Sequence, residues 1–199
     1  MKTADDAKKA GLVAVNTTLS PCFSGLMIFV LRARFLSPRK LDVGGFCNGI
    51  LAGLVSITAG CAFVRPWEAA VIGVVGAFLY QGTSMLLRKL KIDDVVDAFP
   101  VHGACGIWGV LALGLFGDPA DGIGGNGLFY GGDQLRVQCM AVLLIIAWTG
   151  TISLVVFAPL RKLGMLRLGD DFQDIGADIM EHAPCQAYAE SPSRSGSKD

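Results

Sequence analysis

The residues with most capacity for chemistry lie together between Asp93 and Phe116, in DDVVDAFPVHGACGIWGVLALGLF. Three carboxylates (Asp93, Asp94, Asp97) open the stretch, the imidazole of His102 follows, and the rest is apolar or glycine. About 20 apolar residues cross a bilayer core as a helix, and residues 96–116 have that length. An ionisable side chain part-way into such a helix is costly in lipid, so it normally faces a cavity or another polar group. A histidine there suits the handling of one proton or one small cation in a dry place, because its unperturbed pKa is near 6.5 and both ring nitrogens can relay hydrogen bonds. The plainer alternative is a structural histidine bonded to a neighbouring helix. Pro100 removes backbone hydrogen bonding close to it. Gly103, Gly106 and Gly109 recur at helical spacing and leave a flat face for close helix packing or a narrow passage. An enzyme using His102 with Asp97 or Cys105 would need a polar cleft, which this pattern lacks, so no catalytic activity is expected.

The elements that must position these residues are membrane helices. The chain is 52% apolar and only 17% charged, with 26 glycines, against about 25% charged residues in soluble domains. Net charge is zero, so nothing argues for a nucleic-acid partner. Six cysteines are scattered without a CxxC pair or a Cys/His cluster; they read as small buried apolar residues, with no metal, cofactor or disulfide framework implied. Gly122, Gly124 and Gly127 form a literal GxGxxG, but it lies between membrane spans without a preceding strand, so it is not read as a nucleotide loop.

The expected organisation is an all-α polytopic membrane protein with five transmembrane helices. A polar tail (1–10) leads into spans at about 11–31, 44–64, 69–87, 96–116 and 135–160. A cytoplasmic segment (161–190) and a disordered end (191–199) follow. Asn16, Thr17, Thr18 and Ser20 could bond across to other helices or lie in a loop at the water surface. Gly45, Gly49 and Gly53 make a small-xxx-small face. Trp67 sits where interfacial aromatics collect. Loops 32–42, 88–92 and 161–167 carry ten basic residues against five on the opposite side, which places the C-terminus in the cytoplasm of a multi-pass cell-membrane protein.

AVNTTLS (14–20), GGFCNGILAGLVSITAGCAFVRPW (44–67), IDDVVDAFPVHGACGIWGVLALGLFGD (92–118) and GLFYGG (127–132) resemble the ammonium transporter (Amt/Mep/Rh) family, nearer its Amt branch. The resemblance implies an eleven-helix bundle, usually a trimer with one pore per subunit, built as an inverted repeat. The five spans are similar to helices seven to eleven, so the expectation is an incomplete polypeptide lacking the first half. With that half go an external recruitment site, an aromatic gate and the first of two pore histidines. His102, in VHGACG, falls on the second. Asp94 and Asp97 fall on acidic positions near the cytoplasmic mouth.

For the complete protein, the resemblance implies that ammonium is deprotonated at the pore entrance and crosses as ammonia past the pore histidines. A dry pore penalises a bare cation heavily, and potassium has no proton to give up. The alternative is a non-conducting partial subunit that assembles with, or regulates, a full-length trimer. The segment from Asp174 to Tyr188 resembles the family's cytoplasmic regulatory tail, with Gly176, Asp178, His182 and Tyr188 agreeing, and a PII-type signalling protein is an implied partner. Two departures stand out: Ala183-Pro184 follows the tail histidine where a glycine is usual, and Met180 stands where plant members carry a regulatory threonine.

Overall fold

The structure, a computed structural model, describes residues 4–36, 42–119, 126–167 and 169 of the 199-residue chain. The regulatory-tail residues Gly176, Asp178, His182 and Tyr188 lie outside that set, as do Gly122 and Gly124. The regular elements among the described residues are all helical, with no strand. They form α1 (Ala4–Leu31), α2 (Val43–Thr58), α3 (Pro66–Lys89), α4 (Cys105–Phe116) and α5 (Gln134–Lys162). A π-helical turn, Phe99–Ala104, leads directly into α4. Four helical segments are long and apolar enough to cross a membrane: Ala4–Arg34, Pro66–Lys89, Phe99–Phe116 and Gln134–Lys162. The protein is a membrane protein on that basis. α2 is apolar but shorter, at 16 residues.

The chain divides into two compact units, Met1–Ile145 and Ile146–Asp199. In the first, α1 packs against both α2 and α3, and its sequence explains how. Asn16, Ser20 and Ser24 recur every fourth residue, which puts them on one face, and all three are fully buried. Ser20 donates to the Gly53 carbonyl at 2.8 Å and Ser24 to the Gly49 carbonyl at 2.7 Å. Thr17 and Thr18 point elsewhere and donate back to Val13 and Ala14 of their own helix. The polar AVNTTLS insert is therefore continuous helix. The polar start belongs to the same helix from Ala4, with Asp5 and Asp6 in the first turn, where carboxylates oppose the positive end of the helix dipole.

The glycine face of α2 lies against α1 and the turn that follows it. A Cβ at Gly49 would stand 2.7 Å from the Ile28 Cβ, one at Gly53 would stand 2.6 Å from the Pro21 Cα, and one at Gly45 would overlap the Arg32 guanidinium. On α3, a Cβ at Gly73 would run into the Ser20 carbonyl. The glycines ahead of and within α4 behave differently. Gly109 is pressed against the Ser56 carbonyl of α2, Gly103 is blocked by Phe99 of its own turn, and Gly106 has only an ordinary contact with Val55.

α2 ends at Thr58, earlier than the hydropathy suggests, and residues 59–64 run as turns. Their carbonyls are reached by Asn16, whose side-chain amide donates to Cys61 at 2.9 Å and Val64 at 2.8 Å. Irregular backbone within an apolar bundle is tolerable when a side chain supplies the missing donors. Two apolar clusters fill the unit: one of Ile28, Ala52, Ala77, Tyr80, Val101 and Cys105, the other of Ile57, Val64, Ala69, Ile72, Ala112 and Phe116. Of the described cysteines only Cys105 is buried; Cys22, Cys47 and Cys139 face outward. That corrects the expectation of buried thiols. An apolar thiol on a membrane helix meets lipid at little cost, so it needs no protein cover.

In the second unit α5 continues to Lys162, with Leu154 70% and Val155 65% exposed. Arg161 and Lys162 stand in its last turn, favourable at the negative end of a helix.

Candidate functional site

His102 is the fourth residue of its π-helical turn (Phe99–Ala104), and the turn's origin can be read locally. Pro100 has no N–H to give, and the Cys105 N–H bonds to the carbonyls of both Pro100 and His102. The wider i-to-i+5 spacing accommodates one extra residue, a geometry often found at functional positions. Val101 on one side and Cys105 on the other are buried and anchored in the first apolar cluster. The imidazole itself is exposed, and no hydrogen bond or ion pair reaches it among the described residues. Two apolar residues shortly before it in the chain are open too: Phe99 is 54% exposed and Val96 69%. The described residues thus fix the backbone beneath the ring without enclosing the ring. Neither a neighbouring-helix bond nor a closed dry channel is formed by this chain's described part.

Asp94 and Asp97 do different work from each other. Asp94 accepts from the N–H groups of Ala98 at 2.8 Å and Phe99 at 2.9 Å, capping the helical turn that follows. Asp97 reaches sideways to α3: Tyr80 donates to its Oδ2 at 2.9 Å and Ser84 to its Oδ1 at 2.8 Å. The network continues, because Arg32, in the π-helical turn just after α1, donates to the Tyr80 hydroxyl at 3.1 Å and to Gln81 at 2.8 Å, and pairs with Asp42. Asp42 also caps α2 by accepting from the Gly45 N–H at 2.8 Å. That backbone hydrogen bond, with the Arg32 guanidinium beside it, holds the Asp42 carboxyl below its ordinary range despite some burial. One polar network therefore joins three helices and the loop ahead of His102.

A second polar cluster lies at the ends of the spans and was not singled out from the sequence as a site. Arg65 caps α3, its N–H donating to Glu68 at 2.7 Å, and its side chain pairs with Asp118 beyond α4. The Tyr130 hydroxyl donates to the other Glu68 oxygen, and the Arg65 guanidinium lies 5.0 Å from the centre of the Tyr130 ring. Glu68 and Asp118 are both buried. The Tyr130 phenol is pushed up to about 12, first by the hydrogen bond it donates to the Glu68 carboxylate and then by burial. The arrangement ties the start of α3 to the turn at residues 128–130. Beside it Trp67, 59% exposed, meets Phe116 edge-on. The signal in the sequence was Arg-Pro-x-Glu, a capping box with proline in the first turn; its partners Asp118 and Tyr130 are too distant in sequence for any local pattern.

No group of three or more histidine, cysteine, aspartate or glutamate side chains able to hold a metal ion occurs among the described residues. The site instead offers one exposed imidazole on a firmly held turn, set into apolar helices.

The profile of the Ammonium Transporter Family matches residues 1–188. Ammonium transporter Amt2 of Archaeoglobus fulgidus is 36% identical over 182 residues, covering 88% of this chain and 38% of its own length. Ammonium transporter 1 member 2 of Arabidopsis thaliana is 36% identical over 180 residues, covering 86% and 35%. Among solved structures, Mep2 of Saccharomyces cerevisiae superposes with a TM-score of 0.74 at 30% identity, over 82% of this chain and 38% of Mep2. Mep2 of Candida albicans does so with a TM-score of 0.67 at 26% identity. The chain spans about two-fifths of the length of these relatives.

Proposed function

The chain belongs to the ammonium transporter family, and from that premise we propose that it supplies the His102-bearing part of a transmembrane pathway for ammonium. In this reading ammonium gives up a proton at the pore entrance, neutral ammonia crosses the apolar stretch, and His102 hydrogen-bonds the permeating species on the way. The physical basis is the difference in desolvation: a bare cation in an apolar pore is penalised far more than a neutral molecule with one lone pair. His102 is suited because an uncharged imidazole presents one donor and one acceptor nitrogen. Asp94 and Asp97 stand at the cytoplasmic mouth, the C-terminus is cytoplasmic, and the membrane is the cell's plasma membrane.

The observation that carries this reading is the family match over residues 1–188; it is supported by the VHGACG context of His102 and by the buried Val101 and Cys105 on either side of it. The exposure of the imidazole fits a surface that further helices cover in the assembled transporter. Those helices come from the half of the relatives that this chain does not span, or from full-length subunits of a trimer. Its departures at Ala183-Pro184 and Met180 argue against a threonine phosphorylation switch in the tail, while PII-type docking at the cytoplasmic mouth stays part of the proposal.

The test is growth on low ammonium of cells that lack ammonium uptake. The 199-residue chain alone is expected to leave them unable to grow, and a version preceded by a family first half is expected to restore growth. Uptake by the 199-residue chain alone, lost on His102→Ala, would overturn the requirement for the other half. Co-purification with a full-length transporter, without uptake in either form, would favour the reading as a non-conducting assembly subunit.

A further inference from the structure

We propose that Tyr80 and Ser84 are positioning residues for His102. They grip the Asp97 carboxylate and so hold the backbone from which the turn carrying the imidazole begins. The proposal rests on the reading of His102 as a residue that meets the permeating species.

Asp97 has a φ of 56°, in the left-handed region. Aspartate tolerates that conformation better than most residues, but it persists only where the surroundings hold it. Here both carboxylate oxygens are held from one helix, by Tyr80 and, four residues later on the same face, by Ser84. Neither grip is a direct ion pair. Each hydroxyl is backed by an arginine one bond further out: Arg32 donates to the Tyr80 oxygen at 3.1 Å and Arg88 to the Ser84 oxygen at 3.1 Å. The Asp97 carbonyl in turn accepts from the Val101 N–H at 3.1 Å, so the gripped residue also closes the first turn of the next segment.

The far side of that segment is fixed independently. The Cys105 thiol lies 3.5 Å from the Gly76 carbonyl, the Trp108 indole donates to the Ile72 carbonyl at 3.0 Å, and Gly109 lies against α2. His102 therefore sits between two clamps, and the π-helical turn takes up the one extra residue between them. If the Asp97 clamp is released, the turn can relax to α-helical spacing. One residue of register is about 100° of rotation on an α-helix, enough to swing the imidazole off the face it now occupies. Nothing in the hydroxyls' own positions requires contact with the imidazole; they act through Asp97.

The test uses the full chain in lipid nanodiscs with labelled histidine. His182→Gln in the background leaves His102 as the single reporter, since the sequence has two histidines. Imidazole resonances and amide exchange over residues 101–105 are compared for the parent, Tyr80→Phe, Tyr80→Phe with Ser84→Ala, and Tyr80→Phe with Ser84→Thr. The Phe/Ala pair is expected to move the imidazole resonances and to speed exchange in this segment about thirtyfold, the scale of two lost hydrogen bonds. Protection at Ala52 and Ile57 is expected to stay, and threonine at position 84 to bring the resonances back towards those of Tyr80→Phe. Unchanged imidazole and exchange in both Tyr80→Phe and the Phe/Ala pair would overturn the proposal. So would loss of protection spread evenly through the core, which would make the hydroxyls fold supports only. Uptake by a full-length version carrying His102→Ala separates the two readings: normal uptake there removes the pore role and leaves the positioning result standing.

Discussion

Asn16 of α1 and Val64, beyond the end of α2, are joined by a 2.8 Å hydrogen bond from side-chain amide to carbonyl across 48 residues of sequence. A second bond from the same nitrogen reaches Cys61. Together they let α2 stop at Thr58 and the chain turn within an apolar setting. Asn16→Ala is expected to leave two carbonyls without their donor and to destabilise the fold by about 2–4 kcal/mol. Denaturant titration of the detergent-solubilised chain, followed by helical circular dichroism, reads this directly. A loss below about 0.5 kcal/mol would mean water or relaxed backbone supplies the donors instead.

Glycines that look alike in sequence are expected to respond differently to alanine. Gly73→Ala puts a methyl into the Ser20 carbonyl, and Gly109→Ala puts one 2.7 Å from the Ser56 carbonyl. Both obstacles are backbone, and overpacking of this kind costs about 1–3 kcal/mol. Gly82→Ala meets nothing within 4 Å and is expected to be neutral or stabilising, by up to about 1 kcal/mol from helix propensity. Gly106→Ala is expected to lie close to neutral. Thermal melting of the four variants should show that order, and equal losses at Gly106 and Gly109 would contradict the packing described.

Tyr130 is expected to ionise near 12, above the ordinary phenol value near 10. The sign follows from the raised folded value. The hydrogen bond to Glu68 contributes stability that is fully present below about pH 10 and is lost as pH rises towards 12. Ultraviolet difference titration near 295 nm should lose its highest extra-membrane component in Tyr130→Phe. A parent titration with every tyrosine near pH 10 would sink the Glu68 contact.

Asp42 is shifted the other way, downward, so its contribution is present above the unfolded aspartate value near 3.9 and is lost as pH falls through its lower folded value. Asp42→Asn keeps an oxygen for the Gly45 N–H but removes the charge facing Arg32. Asp42→Ala removes both and is expected to cost about 1 kcal/mol more, the usual size of a helix N-cap. Acid melting curves of the two variants against the parent separate cap from ion pair; coincident curves for Asn and Ala would show that the cap contributes nothing.

In the full-length transporter of the proposed reading, His102→Glu is expected to alter selectivity against potassium, because a fixed carboxylate favours a cation where an uncharged imidazole does not. Paired ammonium and potassium currents measure this, and unchanged currents in both would remove the proton-handling role from this position.

Much of this molecule was legible without coordinates. Helical class, apolar spans, the packing face of Gly45, Gly49 and Gly53, and the isolation of His102 among apolar residues all follow from composition and spacing along a single helix. Such signals are local, since 3.6 residues per turn decides which side chains share a face before any partner is present. What only the tertiary structure decided are relations between helices. Of the four polar residues at positions 16–20, Asn16 and Ser20 turn inward while Thr17 and Thr18 bond to their own helix. Asp94 caps, whereas Asp97, three residues later, reaches α3. Arg65, Glu68, Asp118 and Tyr130 meet across up to 65 residues. Hydrogen bonds need atoms within about 3 Å at defined angles, and hydropathy along the chain carries no record of which distant carbonyl or carboxylate a packed helix will bring to that distance.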